Sequence, residues 1–170
     1  VRGPDGPLAV TPRRSRCTRC RATHVLLPVL LLVRRADTAE VIGAALTAKA
    51  AGHGHRRIAA ALGRPADTVR GWLRRFAALV EQVRAVFTGW CRALDPDPVL
   101  PGPAGSPWAD ALAVLDAAAR AVTARFSDTG AVGRVDGRSD VGVVPVGQFA
   151  AAVSAGRLLA PDWSPPTTRG

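Results

Sequence analysis

The composition is most distinctive for the residue types that it lacks. The chain has no methionine, tyrosine or asparagine, and Lys49 is the only lysine among 23 basic residues. Such a bias towards arginine is typical of a very GC-rich coding sequence. Alanine supplies much of the 48% apolar content, and each buried alanine removes little surface from water. We therefore expect thin helical packing rather than one large core.

Long hydrophobic runs are also absent. The most apolar stretch, 24–33, is interrupted by Pro28 and is too short to cross a bilayer. A basic, cysteine-containing stretch precedes it and Arg34-Arg35 follows it, which disfavours a signal peptide. Three cysteines, two of them in a C-x-x-C, suit a reducing compartment better than a disulfide framework. We expect a cytoplasmic, nucleoid-associated protein without a membrane partner.

Acidic residues are scarce in the first part of the chain. Residues 1–94 carry 17 basic and 5 acidic residues, a net charge of +12, whereas residues 95–170 carry 6 and 8, a net charge of −2. Genomic bias explains arginine in place of lysine, but it does not explain an excess of base confined to one half. The asymmetry favours a module that binds double-stranded DNA, joined to a near-neutral attachment. Nothing in the sequence indicates a small-molecule substrate.

Turn residues and apolar spacing divide the chain into elements. Asp5-Gly6 is placed to turn a short hairpin within Val1–Pro12, and a strand is expected between Arg16 and Val33. Asp37 is placed to cap a helix that Gly52 and Gly54 end, with Glu40 bonding back in a capping box. The later predicted elements are a helix over His55–Leu62, a turn at Gly63-Arg64-Pro65, one long helix from Ala66 to about Leu94 or two with a break near Thr88-Gly89, a helix over Trp108–Phe126, a loop over Ser127–Gly147, a short helix over Val146–Leu159 and a tail from Pro161.

These elements predict a mainly α protein. We expect a helix-turn-helix bundle over 36–94, preceded over 1–35 by a small β segment that is a partial zinc ribbon. A proline-rich linker over 95–107 then leads to a helical appendage over 108–161 and a tail over 162–170.

The helix-turn-helix prediction depends on four positions. Two short helices that cross over a tight turn need a small residue at the crossing, which Ala59 supplies, and a residue free to adopt positive φ, which Gly63 supplies. The second helix needs inward apolar residues near its start and one turn later, which Val69 and Trp72 supply. The alternative is a plain helical hairpin with a solvated arginine face.

The second helix would be the recognition helix, at about 66–76. Arg70 and Arg74 lie one turn apart and are suited to guanine edges or phosphates, while Asp67 is suited to a cytosine amino group. Gly71 leaves room for close backbone approach. The complete set of predicted DNA-binding residues is Arg56, Arg57, Arg64, Ala66, Asp67, Thr68, Arg70, Gly71, Arg74 and Arg75. Of these, Arg56, Arg57 and Arg64 are expected to contact phosphates.

Cys17 and Cys20 have the spacing of one zinc knuckle. Two thiolates can hold one side of a tetrahedral Zn²⁺, but four ligands are required and the chain has no second C-x-x-C. Cys91 falls within a predicted helix and is expected to be a small buried residue. The three histidines match no zinc spacing. A redox C-x-x-C is a further option, but it should open a helix after a strand, and Pro28 with the apolar run disfavours that. Because the chain begins at Val1 without methionine, we expect that preceding residues carried the partner knuckle.

Together the two motifs resemble a known group of proteins. The segment 13–28, with its C-x-x-C, is similar to the second half of the zinc ribbon at the N-terminus of insertion-element transposases. Taken together with the segments 39–46, 54–59 and 68–75, this region looks like an uncharacterised family of actinobacterial helix-turn-helix proteins. The segment 156–161 near the end of the chain is also similar to that family. This resemblance implies a zinc ribbon plus a helix-turn-helix that binds DNA, linked to a mobile element. The family pattern has an earlier C-x-x-C, which this chain lacks.

Three functions are compatible with these features. The first is a sequence-specific DNA-binding protein, either a regulator or the targeting component of a transposition system. The second is a remnant or subunit of a transposase or recombinase, but the later acidic residues have no evident sheet to bring them together, so we expect no enzyme. The third is an interaction module in which Trp108–Phe126 drives oligomerisation. It is compatible with the first, because a homodimer presents two recognition helices to two half-sites.

Overall fold

The computed structural model describes residues 1–126, 145–160 and 163. Within those ranges the chain is mainly helical, as the sequence predicts, with one small sheet near the start. The elements are β1 (Arg13–Arg16), β2 (Thr23–Leu26), α1 (Ala39–Ala50), α2 (His55–Leu62), α3 (Ala66–Ala77), α4 (Val80–Leu94), α5 (Pro107–Phe126) and α6 (Val146–Val153). Across the described ranges, none of these helices combines the length and apolarity of a membrane span.

The strands form an antiparallel hairpin around the C-x-x-C. Arg13 pairs with Leu26 and Arg16 pairs with Thr23. Every residue of β1 and β2 is exposed. The turn expected at Asp5-Gly6 is also present, since the Gly3 amide donates to the Gly6 carbonyl at 2.7 Å. No hydrophobic core therefore holds the β hairpin, and its backbone hydrogen bonds set its shape.

The cap of α1 differs from the prediction. Thr38, not Asp37, is the N-cap residue, and its hydroxyl accepts from the Val41 amide at 3.4 Å. Asp37 is buried and pairs with Arg2 at 2.7 Å and with Arg64 at 2.6 Å. Hydrogen bonds to guanidinium groups are stronger than those to backbone amides. The Asp37 carboxylate therefore joins three separate parts of the chain instead of capping its own helix.

The long helix predicted from Ala66 breaks earlier than expected. α3 ends at Ala77 and α4 begins at Val80, whereas the proposed break site at Thr88-Gly89 is continuous helix. At the break the Leu79 amide bonds to the Phe76 carbonyl at 2.9 Å, which tightens the last turn. No glycine or proline marks this position in the sequence. Phe76 before the break and Val80 and Val83 after it are all buried in one core.

The C-terminal helices belong to the same core as the others. α5 packs along α4 and α6 packs against α1. Trp108 donates from Nε1 to the Leu46 carbonyl at 3.1 Å, and the Phe149 ring lies 5.6 Å from that of Phe87. The segment after the linker is thus not a separate appendage. Buried alanines on α5, among them Ala111 and Ala118, allow this close approach.

The end of the chain is described in part. α6 ends at Val153, earlier than the predicted Leu159. Gly156 has φ +76° at the turn that follows, and Leu158 and Leu159 are buried outside helix. Most of the loop predicted from Ser127 and of the tail predicted from Pro161 lies outside the described residues.

Candidate nucleic-acid interface

A glycine corner joins α2 to α3. Gly63 has φ 60° and ψ 40°, the left-handed conformation that glycine adopts without strain. Its amide bonds to the Ala60 carbonyl at 3.2 Å, and the Arg64 amide bonds to the Ala59 carbonyl at 2.9 Å. These two bonds close the end of α2 in a Schellman motif. Only two residues, Arg64 and Pro65, then separate Gly63 from the start of α3.

One face of α3 anchors it in the core. Val69, Trp72, Leu73 and Phe76 recur at helical spacing and are all buried. Ala59 on α2 is buried as well, at the position where the sequence required a small side chain. Burial of these faces therefore fixes the rotation of both helices about their axes.

The outward face of the pair is cationic. Arg56 and Arg57 on α2, and Arg70 and Arg74 on α3, are exposed. We call them the four exposed arginines. In the part of the chain that the structure describes, none of them forms an ion pair. The α2–α3 segment contains a single acidic residue, Asp67, which is also exposed. The cationic charge is thus available to an external anion.

Arg64 does not belong to this exposed surface, because its guanidinium is bound within the protein. Its Nε donates to Asp37 at 2.6 Å, and its other nitrogens donate to the carbonyls of Leu62 and Gly3, each at 3.0 Å. Its side chain is only 13% exposed. Arg64 instead ties the glycine corner to the start of α1. Sequence spacing cannot reveal this, because Asp37 lies 27 residues earlier.

The other predicted contacts lie at the edge of the exposed face. Ala66, Thr68, Gly71 and Arg75 are half-buried. Arg75 folds back along α3, so that a Cβ added at Gly71 would lie 3.0 Å from Arg75 Nη1. Gly71 therefore leaves space that the flexible end of a side chain occupies.

Arg35 is a basic residue near α3 that the sequence did not single out. Burial lowers its pKa, and the positive charge of Arg75 lowers the pKa further. Its Nη2 donates to the Leu159 carbonyl at 2.9 Å, while its Nε is buried without a partner among the described residues. In the sequence, only the local density of arginines pointed to Arg35.

The C-x-x-C forms a compact knuckle between β1 and β2. The Arg21 amide donates to the Cys17 carbonyl and the Cys17 amide to the Ala22 carbonyl, both at 2.9 Å. The pKa of the Cys17 thiol is lowered by the Cys20 amide, then by the Cys20 side chain and the Arg19 amide. These amides stabilise a thiolate, which is the form that binds a metal.

The knuckle supplies two ligands of the four that Zn²⁺ requires. No group of three or more metal-binding side chains occurs within the described ranges. Cys91 is buried in α4 beside the Val114 carbonyl, and burial raises the pKa of its thiol. That placement agrees with the prediction of a packing residue. The described residues therefore fit half of a zinc site only.

No family model, curated protein or solved structure matches the chain. The resemblance to actinobacterial helix-turn-helix proteins and to transposase zinc ribbons therefore stays a prediction.

Proposed function

We propose that this protein binds double-stranded DNA through α2 and α3, used as a helix-turn-helix. The observation that supports the proposal is the combination of a left-handed Gly63 corner, a buried face on α3 and exposed arginines on the opposite face that form no ion pair with any described residue. A plain helical hairpin needs only the first two features. Free guanidinium groups on a helix of this width suit the major groove and its phosphate borders.

Each exposed side chain has a proposed part in binding. Arg70 and Arg74 read guanine edges, and Asp67 accepts from a cytosine amino group. Arg56 and Arg57 hold phosphates, which fixes the orientation of the protein without sequence information. Gly71 lets the backbone of α3 approach the base pairs once the flexible Arg75 guanidinium moves away from it. We leave Arg64 out of the proposed contacts because its guanidinium donates to the Asp37 carboxylate.

The wider role follows from the resemblance and stays part of the proposal. We infer a non-enzymatic regulator, or the targeting component of a mobile element, located in the cytoplasm at the nucleoid. Two carboxylates after α3, Glu81 and Asp116, are each paired with an arginine on their own helix, which gives no support to a catalytic cluster. A homodimer would place two recognition helices about one DNA turn apart.

Selection of bound sequences from a random duplex pool tests the proposal, followed by affinity measurements on the selected site. Arg70→Ala should weaken binding by roughly 1–3 kcal/mol and relax the base preference at one position. Arg57→Ala should weaken selected and random duplexes alike. Arg92→Ala, which removes an exposed arginine from α4, is the matched control. Equal losses for Arg70→Ala and Arg92→Ala would contradict the recognition-helix assignment.

Salt dependence provides a second measurement on the same duplex. The logarithm of the binding constant should fall linearly with the logarithm of salt concentration, with a slope of about 0.9 per phosphate neutralised. Arg57→Ala should reduce that slope by about one phosphate. A flat response to salt would remove the electrostatic basis of the proposal.

A further inference from the structure

A cavity of about 570 Å³ lies between α1, α5 and α6, away from the α2–α3 pair. Its size is within the range of pockets that hold small organic molecules, roughly 300–1,000 Å³. Its walls are mainly aliphatic. The side chains that matter most are Ile42 and Leu46 from α1, Leu112 and Leu115 from α5, and Val146 and Leu158 from the α6 region.

The charges around this cavity are opposite in sign to those of the whole protein. The chain carries a formal net charge of +10. Yet among the described residues that line the cavity, the charged ones are two carboxylates, Glu40 and Asp116. Arg120 pairs with Asp116 from outside the cavity and offsets part of its charge, whereas Glu40 has no ion pair among the described residues. An apolar surface bordered by carboxylates is complementary to an apolar cation.

Gly43 keeps this space open. It lies in the middle of α1 on the wall of the cavity, and a Cβ added there would meet no atom of the described residues within 4 Å. A glycine inside a helix destabilises that helix relative to alanine. Neither a tight turn nor a close backbone contact at Gly43 offsets this cost. The other glycine of the cavity wall, Gly147, is different, since its Cβ would lie 3.0 Å from the Ala39 carbonyl oxygen.

We propose that the cavity between α1, α5 and α6 binds a small apolar organic cation, held by its aliphatic walls and by the carboxylates of Glu40 and Asp116. The site does not depend on the proposed DNA binding, because it uses none of the four exposed arginines.

Calorimetric titration with tetraphenylphosphonium tests this site on the full chain. Tetraphenylborate, which has nearly the same shape and the opposite charge, is the comparison ligand. The cation should bind saturably with one molecule per chain, and more tightly than the anion despite the positive net charge of the protein. An anion that binds as well as the cation, or a cation that does not saturate, would overturn the proposal.

Gly43→Leu should block the site by filling it. We expect at least a roughly tenfold loss of affinity for the cation, together with equal or higher thermal stability, since leucine favours helix over glycine. Gly89→Leu is the matched control, because Gly89 is exposed within α4, its Cβ would also meet open space, and it does not line the cavity. Unchanged binding by Gly43→Leu would place the ligand elsewhere and refute the assignment.

The double variant Glu40→Gln/Asp116→Asn tests the charge separately from the shape. Each partly exposed ion pair is worth at most about a fivefold change in affinity, so a loss of roughly two- to twentyfold is expected for the cation when both carboxylates are removed. The affinity for tetraphenylborate should rise or stay constant. If the cation binds this variant as tightly as the wild type, the carboxylates do not recognise it and the proposed ligand class is wrong.

Discussion

The α2–α3 pair and the β hairpin are both short, basic units, but they depend on the rest of the chain in opposite ways. α3 buries four large side chains in the common core, whereas no residue of β1 or β2 is buried. Burial fixes the rotation of α3 about its axis and so fixes which arginines face outwards. The β hairpin is held by its own ladder and by the knuckle. The comparison shows that similar charge density can rest on tertiary packing in one region and on local hydrogen bonds in the other.

The two regions also differ in how complete their chemistry is. The four exposed arginines need nothing more from the chain to meet a polyanion. The knuckle needs two further ligands before Zn²⁺ is held tetrahedrally. We therefore assign the proposed function to the helices and expect the knuckle to contribute only when two more ligands join it.

A pair of identical substitutions provides the strongest test of the structural difference. Leu73→Ala removes a buried side chain from α3 and should destabilise the protein by about 2–5 kcal/mol, because it loses apolar burial and leaves a cavity. Leu26→Ala in β2, where the side chain is 51% exposed, should change stability by less than about 0.5 kcal/mol. Urea denaturation followed by circular dichroism measures both. Comparable losses would mean that the β hairpin is packed against something in solution.

Asp37 is the residue at which the N-terminal segment and the glycine corner meet. Its buried carboxylate pairs with Arg2 and Arg64, so Asp37→Asn leaves two guanidinium groups without a counter-charge. We expect a loss of about 2–3 kcal/mol, below the value for a fully buried pair because the Arg2 side chain is 44% exposed. Asp116→Asn is the control, since its pair with Arg120 is exposed and worth at most about 0.5 kcal/mol. Equal stability of the two variants would show that the ion pairs of Asp37 do not stabilise the fold.

A substitution at Gly71 distinguishes the contribution of α3 to stability from its proposed role in DNA binding. Gly71→Ala should stabilise the protein by about 0.5–1 kcal/mol, since the flexible Arg75 guanidinium can move away from the new Cβ. Gly89→Ala in α4 should give a similar gain, because its Cβ would meet open space. If α3 enters the major groove with its backbone close to the bases, only Gly71→Ala should weaken DNA binding. Thermal melting and duplex titration of both variants measure this difference, and equal DNA affinities would count against close approach.

Local signals predicted the α2–α3 pair well. The bounds of α2, the left-handed Gly63 and the buried face of α3 all follow from residues within one short segment. Helix periodicity and a glycine corner are properties of neighbouring residues, so the sequence alone reveals them. The use of the outward arginines is a further step that stays a prediction.

Features that depend on distant partners were predicted poorly. Nothing near Asp37 indicates that Arg2 and Arg64 will take its carboxylate from the helix cap. The break at Ala78-Leu79 has no glycine or proline, because it arises from packing of α3 and α4 into one core. The alanine-rich pattern of α5 likewise showed an apolar face but not that α4 would cover it. Long-range contacts decide these features, and a single sequence does not show them.

The smallest predicted effect concerns the alkylation rates of the cysteines. These rates compare the knuckle, which local hydrogen bonds hold, directly with the buried core. The pKa of Cys17 is lowered by the amide and side chain of Cys20 and the amide of Arg19, so more of it is thiolate at pH 7 than in an unfolded chain. The pKa of Cys91 is raised by its burial beneath α5. Iodoacetamide should therefore modify Cys17 well before Cys91, and Cys17 should keep reacting at a lower pH than an ordinary thiol does.

Unfolding in urea should reverse both shifts, because both come from the folded structure. The pKa of Cys17 then rises to its ordinary value, so its rate at pH 7 falls, while Cys91 becomes accessible and its rate increases. Peptide mass mapping after timed alkylation follows each cysteine separately. Because a lowered pKa requires amides that point at the sulfur, a Cys17 rate that urea leaves unchanged would mean that the knuckle does not form without metal. The β hairpin would then depend on outside ligands for its shape as well as for its chemistry.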